Sequence, residues 1–187
     1  MNFITEIINN NPRYILTHWQ DSIEIILVLS GELHCLINGR EYTLGKNDIC
    51  IINQNQLHKI YQSNDKKAEY RSISFDRNLL TANEEIQKKY IIPVLENKRF
   101  THIIFPAIKK ISKEIVILMN CIHSLEEEKA PSYELLIVAY LHIIFQKLYI
   151  SYKEREYQLK YESDEDSLLY RHMATYIYIN ITQKNYM

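Results

Sequence analysis

The dipeptide Asn38-Gly39 constrains this chain more than any other feature. A type I′ turn needs positive φ at both central residues, and asparagine and glycine accept it at little cost, so the pair marks a two-residue hairpin. The flanks agree: LHCLI before it and EYTL after it alternate between polar and apolar or aromatic residues. Upstream, residues 23–29 are rich in Ile, Leu and Val and end at Ser30-Gly31, a turn signal. Downstream, Gly45-Lys46-Asn47-Asp48 makes another turn into residues 49–52 and the amide run NQNQ. YRSISF at 70–75 alternates again, with Arg71, Ile73 and Phe75 on one side. With only 3 glycines in the chain, Gly31, Gly39 and Gly45 are each expected where the backbone requires one. Short strands separated by turns predict a sandwich or barrel.

Polar residues are spaced to meet inside that barrel. His18, Gln20 and Glu24 share one parity, and alternate residues of an extended chain face the same side. His58 follows the next long pair of strands and closes the group, and His34, also of even parity, is expected to face inward. Trp19, of opposite parity, is expected outside. The set suits a buried polar network that pins the barrel, or a network that also contacts a small effector. A third arrangement is a metal set of two histidines and a carboxylate, His18, Glu24 and His58. A buried Glu24 must in any case be hydrogen-bonded or shift its pKa.

The order HxQ-x3-E-x6-G, then a second block ending in histidine, resembles the two cupin motifs. Residues 18–60, HWQDSIEIILVLSGELHCLINGREYTLGKNDICIINQNQLHKI, are similar to the amino-terminal domain of AraC-type transcription regulators. There a histidine-aromatic start, a glutamate, a Ser-Gly turn, an Asn-Gly hairpin and an Asn-x-x-x-x-His close follow in this order. The similarity covers residues 18–75 well and the later helices more loosely. In a regulator of this kind the candidate effector contacts are His18, Gln20, Glu24 and His58, with His34 added by its even parity, and no cofactor is expected. Cupin enzymes carry a histidine where this chain has Gln20, and an amide oxygen is a poorer ligand than imidazole for their metals.

Composition narrows the function classes. With 22 basic and 23 acidic residues the net charge is −1, which implies no general affinity for phosphate backbones. Cys35, Cys50 and Cys121 lack CxxC spacing and are expected as small buried hydrophobes in a reducing cytosol. The start, MNFITEIINNNPRY, lacks the basic and apolar regions of a signal peptide. The longest apolar segment, 135–145, is too short to span a membrane.

After Phe75 the period changes to helical. NEEIQKKY at 83–90 predicts a short helix stopped before Pro93. Ile104, Ile108, Ile111, Ile115, Leu118, Ile122 and Leu125 then recur at spacings of four and three, a heptad seam along one helix. Residues 130–132 open a second helix to about Tyr149, apolar nearly all round and so expected to be covered on more than one side. The pair predicts an antiparallel hairpin on the barrel, and the resemblance implies that helices at this place form a dimer contact, here through the seam.

The expected organisation is α+β, mainly β. It comprises a cupin-like sensing barrel with a short connecting helix over 1–100, a dimerising helical hairpin over 101–150, and a charged linker over 151–166. A terminal helix over 167–187 ends in YIYINITQKNYM, which resembles the opening of an AraC-type DNA-binding domain. No recognition helix follows in this chain, so DNA is expected as a partner only through a part not present here. The function implied is a non-enzymatic effector-sensing and dimerisation module. The alternative is a small metal-dependent cupin enzyme of oxygenase, isomerase or epimerase type working through His18, Glu24 and His58.

Overall fold

The computed structural model describes residues 17–62 and 67–155. Seven strands precede the two long helices: β1 Ser22–Ser30, β2 Glu32–Ile37, β3 Arg40–Gly45, β4 Ile49–Ile52, β5 His58–Gln62, β6 Glu69–Asp76 and β7 His102–Phe105. They form two antiparallel sheets, one of order β6-β1-β4-β7 and one of order β3-β2-β5. The hairpin turn between β2 and β3 has φ 47° at Asn38 and 83° at Gly39, as a type I′ turn requires. Gly31 (φ 75°) is obligatory for a second reason: a Cβ there would stand 2.0 Å from the Lys67 carbonyl oxygen. Gly45 is not; Asn47, at φ 64°, takes the left-handed position of that turn instead.

Strand alternation divides the apolar side chains into two cores. Ile26, Val28, Leu33, Cys35, Ile37, Leu44, Cys50, Ile52 and Ile60 fill the space between the sheets. Ile23, Ile25, Leu27, Ile49, Ile51, Ile73, Phe75 and Phe105 face the other way and meet the helices. The period-two pattern of β1 thus serves both cores at once, which is why that strand is buried on both faces. The result is a cupin-like α+β fold.

Short helical segments, α1 Glu84–Ile86 and α2 Ile92–Leu95, flank a π-helical turn at Gln87–Ile91. Asn83 caps α1 by accepting from the Ile86 backbone N–H. The run passes through Pro93 rather than stopping before it, because Pro93 falls in the first turn of α2, where a proline is tolerated.

Helix α3 spans Lys110–Glu128 and α4 spans Tyr133–Arg155. This corrects the heptad expectation at its start. Ile104 belongs to β7 and packs against the inter-sheet core, and Ile108 lies in the loop, 89% exposed. Within α3, Ile115 and Ile122 are fully buried, and Ile111, Leu118 and Leu125 pack partly against the same core. A side chain sealed in its own core offers a second subunit nothing without opening that core. The seam is therefore mainly the means by which α3 seats on its own barrel.

Helix α4 differs from expectation in extent and cover. It runs into the stretch read as linker, and Ser151 and Tyr152 are buried. Ile137, Leu141, Ile144, Phe145 and Leu148 pack inward, while Leu135, Leu136, Ile143 and Ile150 are exposed on the opposite side. Among the described residues the helix is covered on one side only. Over Tyr133–Glu154 it is also long and apolar enough to cross a membrane by length and composition, where the 135–145 run alone is too short. The rest of the expected linker and the 167–187 helix lie outside the described residues.

Candidate functional site

One end of the inter-sheet space carries a cluster of polar side chains. Glu24 enters it from β1 with the parity of Ile26 and Val28, and His58 enters from the first position of β5. Residues 17–20 cross towards them: His18 and His58 exchange backbone hydrogen bonds at 3.0 and 2.9 Å, and Asn55 donates to the Gln20 carbonyl at 2.8 Å. Three of the sequence-predicted residues, His18, Gln20 and Glu24, therefore do meet His58.

At the centre is an ion pair. His58 Nε2 stands 2.9 Å from Glu24 Oε2, with the two side chains 1% and 7% exposed. Opposite charges at this distance in a buried setting attract strongly. The other ring nitrogen, Nδ1, donates to the Gln56 carbonyl at 2.9 Å. Burial alone would raise the Glu24 pKa, but the neighbouring His58, the Ser72 hydroxyl and His18 more than offset it and hold the carboxyl below 4.5. Burial would likewise lower the His58 pKa, and the Glu24 carboxylate with the Gln56 carbonyl raises it above 6.5. Both shifts stabilise the same state, imidazolium beside carboxylate.

Around this pair the fringe is loosely held. Ser72 donates a hydrogen bond to Glu24 Oε1. The Gln20 amide, however, reaches Glu24 Oε2 at 3.5 Å and Ser74 Oγ at 3.4 Å, both at the far edge of hydrogen-bond range. The His18 ring lies tilted over His58 with centroids 4.4 Å apart. Gln20, His18 and Ser74 are half-buried, so the fringe is reachable from solvent.

Across the same end lies a second polar group. Glu24 is register partner of Ile52 on β4, and Ile52 of His102 on β7, so Glu24 and His102 project from the same face of the sheet. Two strand spacings put them roughly 10 Å apart. His102 packs against the Tyr42 ring at 4.5 Å, and its Nδ1 meets Thr101 Oγ1 at 2.9 Å. Burial, with help from the positive Arg40, pushes its pKa down to about 4, so this imidazole is neutral, whereas the shift at His58 runs the other way.

His34 is a correction. Leu33, Cys35 and Ile37 fill the inter-sheet core, so His34 points outward, stacked on Tyr61 at 5.2 Å and 3.3 Å from Glu41. Parity does not carry across the Ser30-Gly31 turn, and β2 resets the count. Ser72, Ser74 and His102, conversely, were missed. The serines could have been read from YRSISF, since Arg71, Ile73 and Phe75 on one face leave Ser72 and Ser74 on the other. The NQNQ run also gains a purpose. Asn53 Nδ2 donates to the Leu95 and Phe100 carbonyls, both at 2.9 Å, and Gln56, besides holding His58, accepts from Asn38 Nδ2 at 2.8 Å. These amides fix the loop that delivers His58.

The metal alternative can be tested on this donor set. A ligating imidazole needs an unprotonated nitrogen, and His58 commits Nδ1 to a carbonyl and turns Nε2 to a carboxylate that favours its protonated form. Among the described residues no group of three or more His, Cys, Asp or Glu side chains is arranged to hold a metal ion.

The chain matches the model of the AraC-like ligand binding domain over residues 5–145. It is 22% identical over 182 residues to YdeC of Bacillus subtilis, an uncharacterized HTH-type transcriptional regulator; the match takes in 96% of this chain and 61% of that protein. This chain thus spans about three-fifths of the length of that relative. An apo structure of a ToxT point variant from Vibrio cholerae superposes with a TM-score of 0.54 at 12% identity, over 77% of this chain and 58% of that one, a likeness of fold. The chain belongs to the AraC-like ligand binding domain family.

Proposed function

We propose that this chain is the effector-sensing and pairing part of an AraC-type regulator of transcription, without enzymatic activity and working in the cytoplasm. The observation that carries the reading is the charged Glu24–His58 pair at one end of the barrel, fringed by Gln20 and Ser74 at long hydrogen-bond distances. The pair is an anchor already formed, and the fringe can exchange its weak contacts for those of a small molecule. His18, Gln20, Glu24 and His58 line the effector site, joined by Ser74 and, from the far side, His102. DNA is read by a helix-turn-helix part elsewhere in the protein, as the name of the relative YdeC suggests. Residues up to 105 act as sensor, 110–155 as coupling hairpin, and the remainder leads to the DNA reader.

Pairing is proposed as a homodimer through α4 rather than α3. Leu136, Ile143 and Ile150 recur every seven residues with Ala139 and Gln146 between them, and the face they form is exposed in the single chain. An effector acts only if it binds one arrangement of subunits more tightly than another.

The enzyme alternative is tested by metal analysis of tag-free protein. The regulator reading expects well under one metal ion per chain, with unchanged thermal stability in a chelator. Stoichiometric iron, manganese, nickel or zinc, lost in Glu24→Gln and His58→Gln, would favour catalysis instead.

A further inference from the structure

The flank of the barrel holds a buried charge that the polar end does not use. Arg71 shares its face of β6 with Ile73 and Phe75, is turned towards α3, and is 9% exposed. Its Nη1 donates to the Asn120 side-chain oxygen at 2.7 Å, while its Nε–H is buried with no acceptor among the described residues. An amide oxygen satisfies a donor but neutralises no charge. The carboxylate whose field reaches Arg71 is that of Glu127, which is 65% exposed and already 3.4 Å from His123 Nε2. His123, one turn beyond Asn120 on the same face of α3, has a second buried atom, Nδ1, without a partner among the described residues. Among the described residues, two unmet polar atoms and one guanidinium without a carboxylate in contact thus collect on one seam. Buried charges in proteins are paired, because an unpaired one is heavily penalised.

We infer that Arg71, with Asn120 and His123, forms a receptor for a carboxylate on the seam between β6 and α3, separate from the effector site. The guanidinium fork suits that occupant. Its planar donors match the two oxygens of a carboxylate, and Nε–H with a neighbouring Nη–H offers a bidentate edge that a lysine lacks. His123 Nδ1, buried on the same seam, adds a second polar atom to it. The carboxylate arrives either as a small free acid or as an aspartate or glutamate side chain of a second copy of the chain. Because α3 packs on the same sheet that carries Glu24, an occupant here bears on the element that seats the hairpin.

Nuclear magnetic resonance of the ¹⁵N-arginine-labelled chain tests this directly. The Arg71 Nε–H signal is assigned by its loss in Arg71→Lys, and sodium acetate is titrated in at ionic strength held constant with sodium chloride. The signal is expected to move downfield with acetate and reach a plateau, with the Asn120 side-chain amide moving alongside it. A downfield move on raising protein concentration without acetate supports the same receptor and identifies a second copy as the source. A signal that neither acetate nor protein concentration moves, and that shows a cross-peak to bound water, overturns the inference; Arg71 would then be a structural residue bridged by water. If Arg71→Lys fails to fold, assignment through the scalar couplings of the arginine side chain replaces it, and the titration stands unchanged.

Discussion

Glu24→Ala is expected to cost the fold about 3–5 kcal/mol, because removing one partner of a buried ion pair leaves the other charge uncompensated. The pH profile carries the more specific signature. In the native chain the His58 pKa is raised above 6.5, so its share of the stability is complete below that pH and is lost as pH rises through the folded-state value. The Glu24 pKa is lowered below 4.5, so its share is complete above that pH and is lost as pH falls through the folded value. The pair therefore stabilises most between about pH 4.5 and 6.5. In the variant, burial outweighs the remaining Gln56 carbonyl contact and depresses the His58 pKa, so protonation now favours the unfolded chain. The slope of stability against pH should reverse sign across neutrality. Urea unfolding at pH 5.5 and 8.5 reads this out. A loss under about 1 kcal/mol with the native slope retained would mean that the two groups are not charged together.

Ile143→Glu is expected to turn a dimer into a monomer. Ile143 is the middle of the exposed α4 stripe, seven residues from Leu136 on one side and from Ile150 on the other. A two-fold interface places the substitution twice at the centre of the contact, where charge is least tolerated. The dissociation constant should rise at least about a hundredfold, roughly 2.7 kcal/mol. Because Ile143 is solvent-exposed in the single chain, the folding of each subunit should be little changed. Ile117→Glu, on the outer face of α3, should leave association alone. Equilibrium sedimentation of the three proteins decides it: association unaffected by Ile143→Glu, or abolished by Ile117→Glu, removes α4 as the seam.

The parts legible in the sequence were those with a local cause. The Asn38-Gly39 turn dictates its own backbone, and the alternation within β1 places Glu24 on the face of Ile26 without knowledge of any other strand. The even spacing of His18, Gln20 and Glu24 foretold their meeting, although the chain bends at Asp21 before β1 and His18 reaches the site by bridging to His58. What failed depended on long-range context. The even parity of His34 is one that β2 does not inherit, and the apolar alternation of LHCLI itself points His34 outward. Strand β7 was hidden because HIIFPAI satisfies both periods; Pro106 was the available signal, since the residue before a proline is driven out of helical geometry. The uncovered face of α4 has no local cause at all. An apolar residue on a helix reads the same whether its neighbour lies in the same chain or another.

The central claim is that the end of the barrel around Glu24 and His58 receives a small molecule. The most direct measurement is a titration of the native chain with a library of small polar compounds, following the imidazole signals of His18, His58 and His102 by nuclear magnetic resonance. Binders are expected to move His18 and His58 together, to leave the outward-facing His34 still, and to lose their effect in Gln20→Ala with Glu24 intact. Binders that move His34 or the α3–α4 hairpin while His18 and His58 stay fixed would contradict it and place recognition elsewhere on the molecule.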